Sequence, residues 1–465
     1  MLLAWCSPRD LCTLAQTSRY FYVLSHQPEL WRDACLLSAS DGSAEDAILP
    51  QFSHTWKDTW RLLQYPKEVG ASSPRQRPLS IPGIYSDYLY RQHSCRTFPI
   101  PSTWFNDRTG PSRCKPIDEL CNESLSSEVF LRDYEGQNRP VVLKGAASAW
   151  PAVHNWRDET YIARSLGPNR TFRATSGTAQ HAAQFTWSAY IEYCRATSSS
   201  SSGGAAVEEG PLYLFDRTAA LDLAADWGGG PAAQPQQHDL FSLLGPDRRP
   251  DHTWLIAGSP RSGSVFHIDP NATHAWNACI TGRKRWILSP PGQPPPGVGP
   301  SPDGDSVVLP ISLGEWMTQY YYCDGQPLYE CTVGPGDIMF VPHGWWHMVV
   351  NLPGEDVNIA VTHNYVAPSN LPNVLRFLRE KREQVSGCRD RAAALQPDCL
   401  YKTFVDVLEK EEPMLLRTAV AEPDWTCKAW SSSVPTKAKK QKKDGSSVME
   451  QAKTGSNGFS FSFLE

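Results

Sequence analysis

His267-Ile268-Asp269 sets two metal-binding side-chain types two positions apart. In a strand, residues i and i+2 point to one face, so both side chains could reach a single ion. A third ligand has to come from another strand. His347 is the strongest candidate, because it follows the unusual run Pro342-His343-Gly344-Trp345-Trp346 and leads into a strand-like stretch. Two neutral imidazoles and one carboxylate on one face of an octahedron leave three positions open, which suits an oxygen-activating Fe(II). Binding requires both histidines deprotonated. Spacing alone leaves rivals open: His274, His343 and His363 stand nearby among 12 histidines. The expectation for these three is a place lining the cleft or supporting the ligands.

Such residues need strands to carry them. WNACI (276–280) and RWILSP (285–290) flank Thr281-Gly282-Arg283-Lys284, which reads as a hairpin with glycine in its turn. Gly334-Pro335-Gly336-Asp337 reads as a turn, followed by the strand-like runs IMFVP, HMVVNL and VNIAVTHNYV. Closely spaced short strands with Gly/Pro turns predict a double-sheet barrel or jelly roll. LPNVLRFLREKREQV (371–385) and LYKTFVDVLEKEE (400–412) have helical spacing, with Leu400, Phe404 and Leu408 on one face. These helices either cover the barrel or form a homodimer contact. Ser7-Pro8 predicts a helix start, and Leu11, Leu14, Ala15, Phe21, Tyr22 and Leu24 are spaced for helices within residues 1–36. Residues 37–125 show little period. TSSSSSGGAA (197–206) is a low-complexity insertion, 291–305 a proline-rich surface loop, and the tail from 430 is polar and expected to be disordered.

Composition narrows the classes. The 465-residue chain is 40% hydrophobic and 20% charged, as expected of a globular protein with one large core and a smaller module. With 44 basic and 49 acidic residues, the formal charge of −5 gives no basic field for nucleic acid. It would suit a basic substrate. Thirteen scattered cysteines without a CxxC pair suggest neither a zinc ribbon nor a disulfide framework, and favour a reducing, intracellular setting. No run of about 18 apolar residues predicts a membrane span. The basic run KAKKQKK (437–443) is either a nuclear-import signal or solvated charge, so the expected location is nucleus, cytoplasm or both.

The segment RSGSVFHIDPNATHAWNACITGRKRWILSPP (261–291) resembles the core of the JmjC oxygenases. It is most similar to the branch of the arginine demethylase and lysyl hydroxylase once described as a phosphatidylserine receptor. GPGDIMFVPHGWWHMVVNL, NIAVTHNYV, PLYLFD (211–216) and RPVVLKGAASAWPA (139–152) resemble the same branch in the same order. The resemblance implies a mainly β fold with flanking helices, a double-stranded β-helix of cupin type. It implies an Fe(II)- and 2-oxoglutarate-dependent dioxygenase using O2, with His267, Asp269 and His347 as iron ligands. By the same correspondence Lys284 pairs with the distal carboxylate of 2-oxoglutarate. Thr362, Asn277 and Tyr213 fall at its other contacts, and Ser264 keeps a hydroxyl where relatives often have threonine. Asn364 shares a face with Thr362 on a regular strand. His343 stands where close relatives tend to have glycine, and His363 where glutamine is usual, so both are expected to influence substrate choice.

SPRDLCTLAQTSRYFYVLSHQPELWR (7–32) is similar to the later part of an F-box, which implies docking on a Skp-type adaptor of a cullin ubiquitin ligase. The expected organisation is a partial F-box-like segment at 1–36 and a connector packed on the core at 37–125. An oxygenase domain at 126–385, a helical region at 386–429 and a basic tail at 430–465 complete it. The expected function is protein hydroxylation, either of lysyl side chains or of N-methyl groups, the latter releasing formaldehyde as a demethylation. Two other classes compete: an F-box substrate receptor whose barrel does not turn over, and a zinc hydrolase using the same three ligands.

Overall fold

The computed structural model describes residues 2–39, 47–49, 51–53, 55–65, 86–106, 114–121, 126–178, 182–198, 208–228, 239–301, 307–323, 325, 327–354, 357–388 and 397–421. Most of the low-complexity insertion and the basic tail lie outside these residues.

The chain opens with α1 (Pro8–Ala15), α2 (Arg19–Ser25) and α3 (Pro28–Ala39). The Ser-Pro start behaves as expected: the Ser7 hydroxyl accepts from the Asp10 N–H, and the Asp10 carboxylate accepts from the Ser7 N–H. Then come β1 (Ala47–Leu49), α4 (Trp56–Gln64), α5 (Asp87–Arg96), β2 (Cys114–Pro116) and β3 (Asp118–Cys121). α6 (Ser127–Phe130) runs through a π-helical turn at Leu131–Glu135 towards β4 (Val141–Lys144). α7 (Pro151–Asn155), α8 (Tyr161–Leu166), β5 (Thr171–Thr175), β6 (Ala183–Thr186), α9 (Trp187–Ser198), β7 (Tyr213–Asp216) and α10 (Arg217–Asp222) follow.

The barrel proper uses β8 (Thr253–Gly258), β9 (Gly263–His267), β10 (His274–Thr281) and β11 (Lys284–Ser289). At the end of the proline-rich loop a small pair forms from β12 (Gly299–Pro300), inside it, and β13 (Val307–Val308), just after it. After α11 (Leu313–Gln319), β14 (Leu328–Val333), β15 (Ile338–Val341), β16 (Trp346–Asn351) and β17 (Asn358–Tyr365) complete it. α12 (Leu371–Glu380), α13 (Pro397–Glu411) and α14 (Pro413–Ala421) end the described chain.

Two sheets enclose the site. The larger runs β1-β6-β5-β7-β8-β17-β10-β15-β4-β3 and the smaller β2-β14-β11-β16-β9. From β8 to β11, and again from β14 to β17, consecutive strands alternate between the sheets, which is the winding of a double-stranded β-helix. This corrects the hairpin expected at Thr281–Lys284. β10 pairs with β15 and β17, whereas β11 pairs with β14 and β16. Both strands exist, but the turn carries the chain from one sheet to the other instead of folding it back. Gly282 makes the turn at φ +71°, and a Cβ there would lie 2.4 Å from Asn358 Oδ1.

Residues 37–125, expected as a connector of little period packed on the core, also contribute strands of their own. β1 adds in parallel to β6, β2 to β14 and β3 to β4, so this stretch supplies edge strands to both sheets. Strands this short carry no detectable period and gain regularity only through partners distant in sequence. Its helices pack inward: Trp56 is buried, in one apolar core with Trp31, Leu36, Phe185, Tyr193 and Trp276. At the other end Leu400, Phe404 and Leu408 are buried against α12 and the turn Leu240–Leu244, so α13 covers the fold with the face its spacing predicts. Among the described residues no helix is long and apolar enough to cross a membrane.

Candidate metal and cosubstrate site

His267 is the last residue of β9, and its direct cross-strand partner is His347 on β16. Their rings approach to 4.1 Å between centroids. The strand stops before Asp269, which lies in extended conformation (φ −59°, ψ 141°) at the head of the turn Pro270–Ala272. The alternation nevertheless persists: Ile268 is partly exposed, while His267 and Asp269 both face the cavity. Ligand atoms of all three residues lie within 4.8 Å of one another, and His347 Nε2 is 3.8 Å from Asp269 Oδ2.

The donor set fits a divalent metal. His267 Nδ1 is 2.8 Å from the Val265 carbonyl and His347 Nδ1 is 3.1 Å from that of Trp345. A carbonyl oxygen only accepts, so each Nδ1 carries the proton and each Nε2 is the unprotonated nitrogen, the form a metal requires. Asp269 Oδ2 is buried with no hydrogen-bond partner. An orphaned carboxylate oxygen between two imidazoles is costly unless a cation joins them. Burial pushes the Asp269 carboxyl above its ordinary value, opposed by His267 and by a hydrogen bond from Asn364. Burial also lowers His267 to about 3, with His347 adding to the effect, and lowers His347 to about 4. Both imidazoles are therefore neutral at ordinary pH.

The cavity above the triad opens to solvent. Its far wall holds Lys284, which is 1% exposed, with Nζ donating to the Tyr213 hydroxyl at 2.8 Å. Tyr213 can stand there because Gly258 leaves room: a Cβ on Gly258 would come within 2.6 Å of the tyrosine ring. Thr362 and Asn277 are cross-strand partners on β17 and β10. Thr362 Oγ1 donates to the Trp276 carbonyl at 3.0 Å, and Asn277 Oδ1 is buried without a partner. Ser264 lines the same cavity from β9, and Asn364 reaches it with its Nδ2 donating to Thr273 Oγ1 at 2.9 Å.

The fold thus gathers every site residue named from the sequence into one cavity. It does not place the rival histidines there. His274 lies on the opposite face of β10, where its Nδ1 accepts the His343 backbone N–H at 3.0 Å and its Nε2 lies 3.1 Å from Ser369 Oγ. His363 stacks on Trp276, with Nδ1 2.8 Å from Thr253 Oγ1. Strand alternation explains the exclusion: Thr362 and Asn364 face the cavity, so the residue between them faces away. Conversely, Phe215, Trp254 and Trp286 line the cavity unannounced. Phe215 was legible, two places after Tyr213; Trp254 becomes so only through its pairing with Thr362.

A family model described as a cupin-like domain matches residues 126–370. The chain belongs to the cupin-like JmjC oxygenases. A second model, described as F-box-like, matches residues 2–37. The arginine-specific demethylase JMJ22 of Arabidopsis thaliana is 33% identical over 99% of this chain and 82% of its own length. The bifunctional arginine demethylase and lysyl-hydroxylase psr-1 of Caenorhabditis elegans is 32% identical, over 55% of this chain and 62% of its own. The human 2-oxoglutarate and iron-dependent oxygenase JMJD4 is 32% identical over 37% of this chain and 45% of its own. This JmjC oxygenase is accordingly an enzyme dependent on iron and 2-oxoglutarate.

Proposed function

We propose that His267, Asp269 and His347 hold the iron, and that the enzyme oxidises a basic side chain of a protein. The observation that carries this reading is the buried triad, with its orphaned carboxylate oxygen, facing the Lys284–Tyr213 pair across one cavity. With iron, 2-oxoglutarate and O2 bound, the site supplies oxidation of a substrate C–H bond coupled to decarboxylation of the cosubstrate to succinate. The remaining work falls to the protein. The Lys284 ammonium neutralises the distal carboxylate, which needs a cationic partner when buried. Tyr213 fixes Lys284 and can donate to the same carboxylate. Thr362 turns its hydroxyl from the Trp276 carbonyl, and Asn277 offers whichever end of its amide is required. Ser264 lies within the same wall.

The substrate class rests on two supports. JMJ22 and psr-1 are named for arginine and lysyl chemistry. The cavity is also lined by the aromatic side chains of Phe215, Trp254 and Trp286, a surrounding that suits a cationic or N-methylated head group. Hydroxylation of a side-chain carbon and loss of an N-methyl group differ only in which C–H bond is presented. The full chain with Fe(II), 2-oxoglutarate and arginine- or lysine-rich peptides, methylated and unmethylated, separates them by mass. A gain of one oxygen means hydroxylation and a loss of a methylene means demethylation. Succinate production unchanged in His267→Ala would overturn the iron assignment.

The match of residues 2–37 supports a second partner, a Skp-type adaptor. Trp5, Tyr20 and Phe21 are exposed on the N-terminal helices and offer it an apolar surface. A homodimer through the C-terminal helices would have to use Met414 and Val420, which are exposed, since Leu400, Phe404 and Leu408 are spent within the fold. Histones or other nuclear proteins would suit the basic-substrate reading, and a nuclear or cytoplasmic location follows from it.

A further inference from the structure

The F-box-like helices are built into the oxygenase. Arg32 on α3 is fully buried, and its guanidinium donates to the Thr178 carbonyl at 2.6 Å, the Gly210 carbonyl at 3.3 Å and the Glu208 carboxylate at 3.3 Å. The Trp56 indole N–H from α4 donates to the other Glu208 oxygen at 2.6 Å. Glu29, one turn before Arg32, accepts the Glu209 backbone N–H at 3.2 Å. Arg91 on α5 pairs with the Glu209 carboxylate at 3.0 Å. Three consecutive residues, Glu208–Gly210, are therefore gripped by side chains from helices α3 to α5. Tyr213, which holds Lys284, begins β7 three positions later.

We propose that Arg32 is a positioning residue for the cosubstrate end of the cavity: by holding Glu208–Gly210 it fixes the start of β7, and so keeps the Tyr213 hydroxyl on Lys284. The inference rests on the reading of Tyr213 and Lys284 as 2-oxoglutarate contacts. Without Arg32, the Glu208 carboxylate is buried with no opposing charge; it then takes a proton or swings out to water, and either change loosens the hold on the segment. A competing anchor exists. On α9, the Tyr193 hydroxyl accepts the Leu212 N–H at 2.8 Å and the Tyr190 hydroxyl accepts the Leu214 N–H at 3.2 Å. Those bonds hold Leu212 and Leu214 from α9, whereas the Arg32 grip holds the segment that leads into them. A consequence is that a partner shifting α3 changes cosubstrate affinity.

The test uses the full chain and compares Arg32→Met, Arg32→Lys and Tyr213→Phe. The expected result for Arg32→Met is a several-fold rise in the 2-oxoglutarate concentration giving half-maximal succinate formation. It is accompanied by faster amide hydrogen exchange across residues 211–216, with Fe(II) affinity unchanged. Arg32→Lys, which keeps the charge, restores part of both. If Tyr213→Phe raises the 2-oxoglutarate requirement and Arg32→Met changes neither readout, the α9 anchor suffices and the inference is overturned. If Fe(II) affinity and turnover fall in step with cosubstrate affinity, the role is merely structural, which also overturns it. If Tyr213→Phe itself has no effect, the reading of the cavity fails first. Should Arg32→Met not fold, Glu29→Gln, which weakens the hold on Glu209 and the ion pair with Arg96, is judged by the same two readouts.

Discussion

His267 and His347 are direct cross-strand partners, and each gives its Nδ1 proton to the backbone carbonyl two residues before it. Two strands far apart in the sequence thereby bring two unprotonated Nε2 atoms beside a carboxylate oxygen that has no hydrogen-bond partner. The polypeptide sets the tautomers before any ion arrives.

Asp269 should therefore be a liability in the metal-free protein and an asset with metal bound. Asp269→Asn is expected to abolish the Fe(II)-induced rise in Tm while leaving the metal-free protein no less stable than the parent. Thermal melts with Fe(II) and with a chelator check this. An unchanged Fe(II) response would show that the carboxylate is not a ligand.

Lys284→Ala removes the cation buried in the far wall, and a charged hydrogen bond is worth about 2–3 kcal/mol, roughly a hundredfold in affinity. The 2-oxoglutarate requirement should rise by that order, while Tyr213→Phe, losing one neutral donor, raises it by about tenfold or less. Equilibrium titration of each variant with 2-oxoglutarate measures both. Equal affinities in parent and Lys284→Ala would place the cosubstrate elsewhere.

On the opposite face of β11, Arg285 forms a buried ion pair with Glu330 at 2.6 Å and donates to Thr332 Oγ1 at 3.0 Å. Arg285→Met strands the Glu330 carboxylate and should cost about 3–5 kcal/mol of stability. Replacing both, Arg285→Met with Glu330→Leu, should recover much of that loss. Denaturant unfolding of the single and double variants gives the coupling, and a double variant no better than the single would refute it.

Acid should unfold the metal-free protein early. Burial lowers His252 to about 3 and His343 to about 4, and drives His274 well below the ordinary value of 6.5. His274 cannot take a second proton without losing the His343 N–H it accepts. Below about pH 6.5 the unfolded chain binds protons at these histidines and the folded chain does not. Stability is thus full above that value and falls as pH drops towards the folded values, by about 1.4 kcal/mol per pH unit for each such histidine. Denaturant titrations at pH 6.5 and 5.0 should differ accordingly; equal midpoints would contradict the assignment.

Much of the site was legible in the sequence because its signals are local. The two-residue spacing of His267 and Asp269 and the strand around His347 declare themselves within a few residues, whereas Lys284, Thr362, Asn277, Tyr213 and Ser264 stood out only through the resemblance of their motifs. So did the helix start at Ser7-Pro8 and the buried face of Leu400, Phe404 and Leu408. Binary patterning and capping depend on near neighbours, and a reading of the chain recovers them.

Pairing is different, because it is decided by contacts between residues far apart in the chain. Two strands joined by a glycine turn look the same whether they form a hairpin or cross between sheets, and Gly282 does the latter. The same uncertainty hid which histidines face the cavity: a single place along β17 separates Thr362, inside, from His363, which packs on Trp276. It also hid Arg32, whose partner Glu208 follows the insertion. The sequence determined which residues could hold a metal and a dicarboxylate. Only the tertiary structure decided which of them meet, since a side chain's face and neighbours depend on the strand beside it.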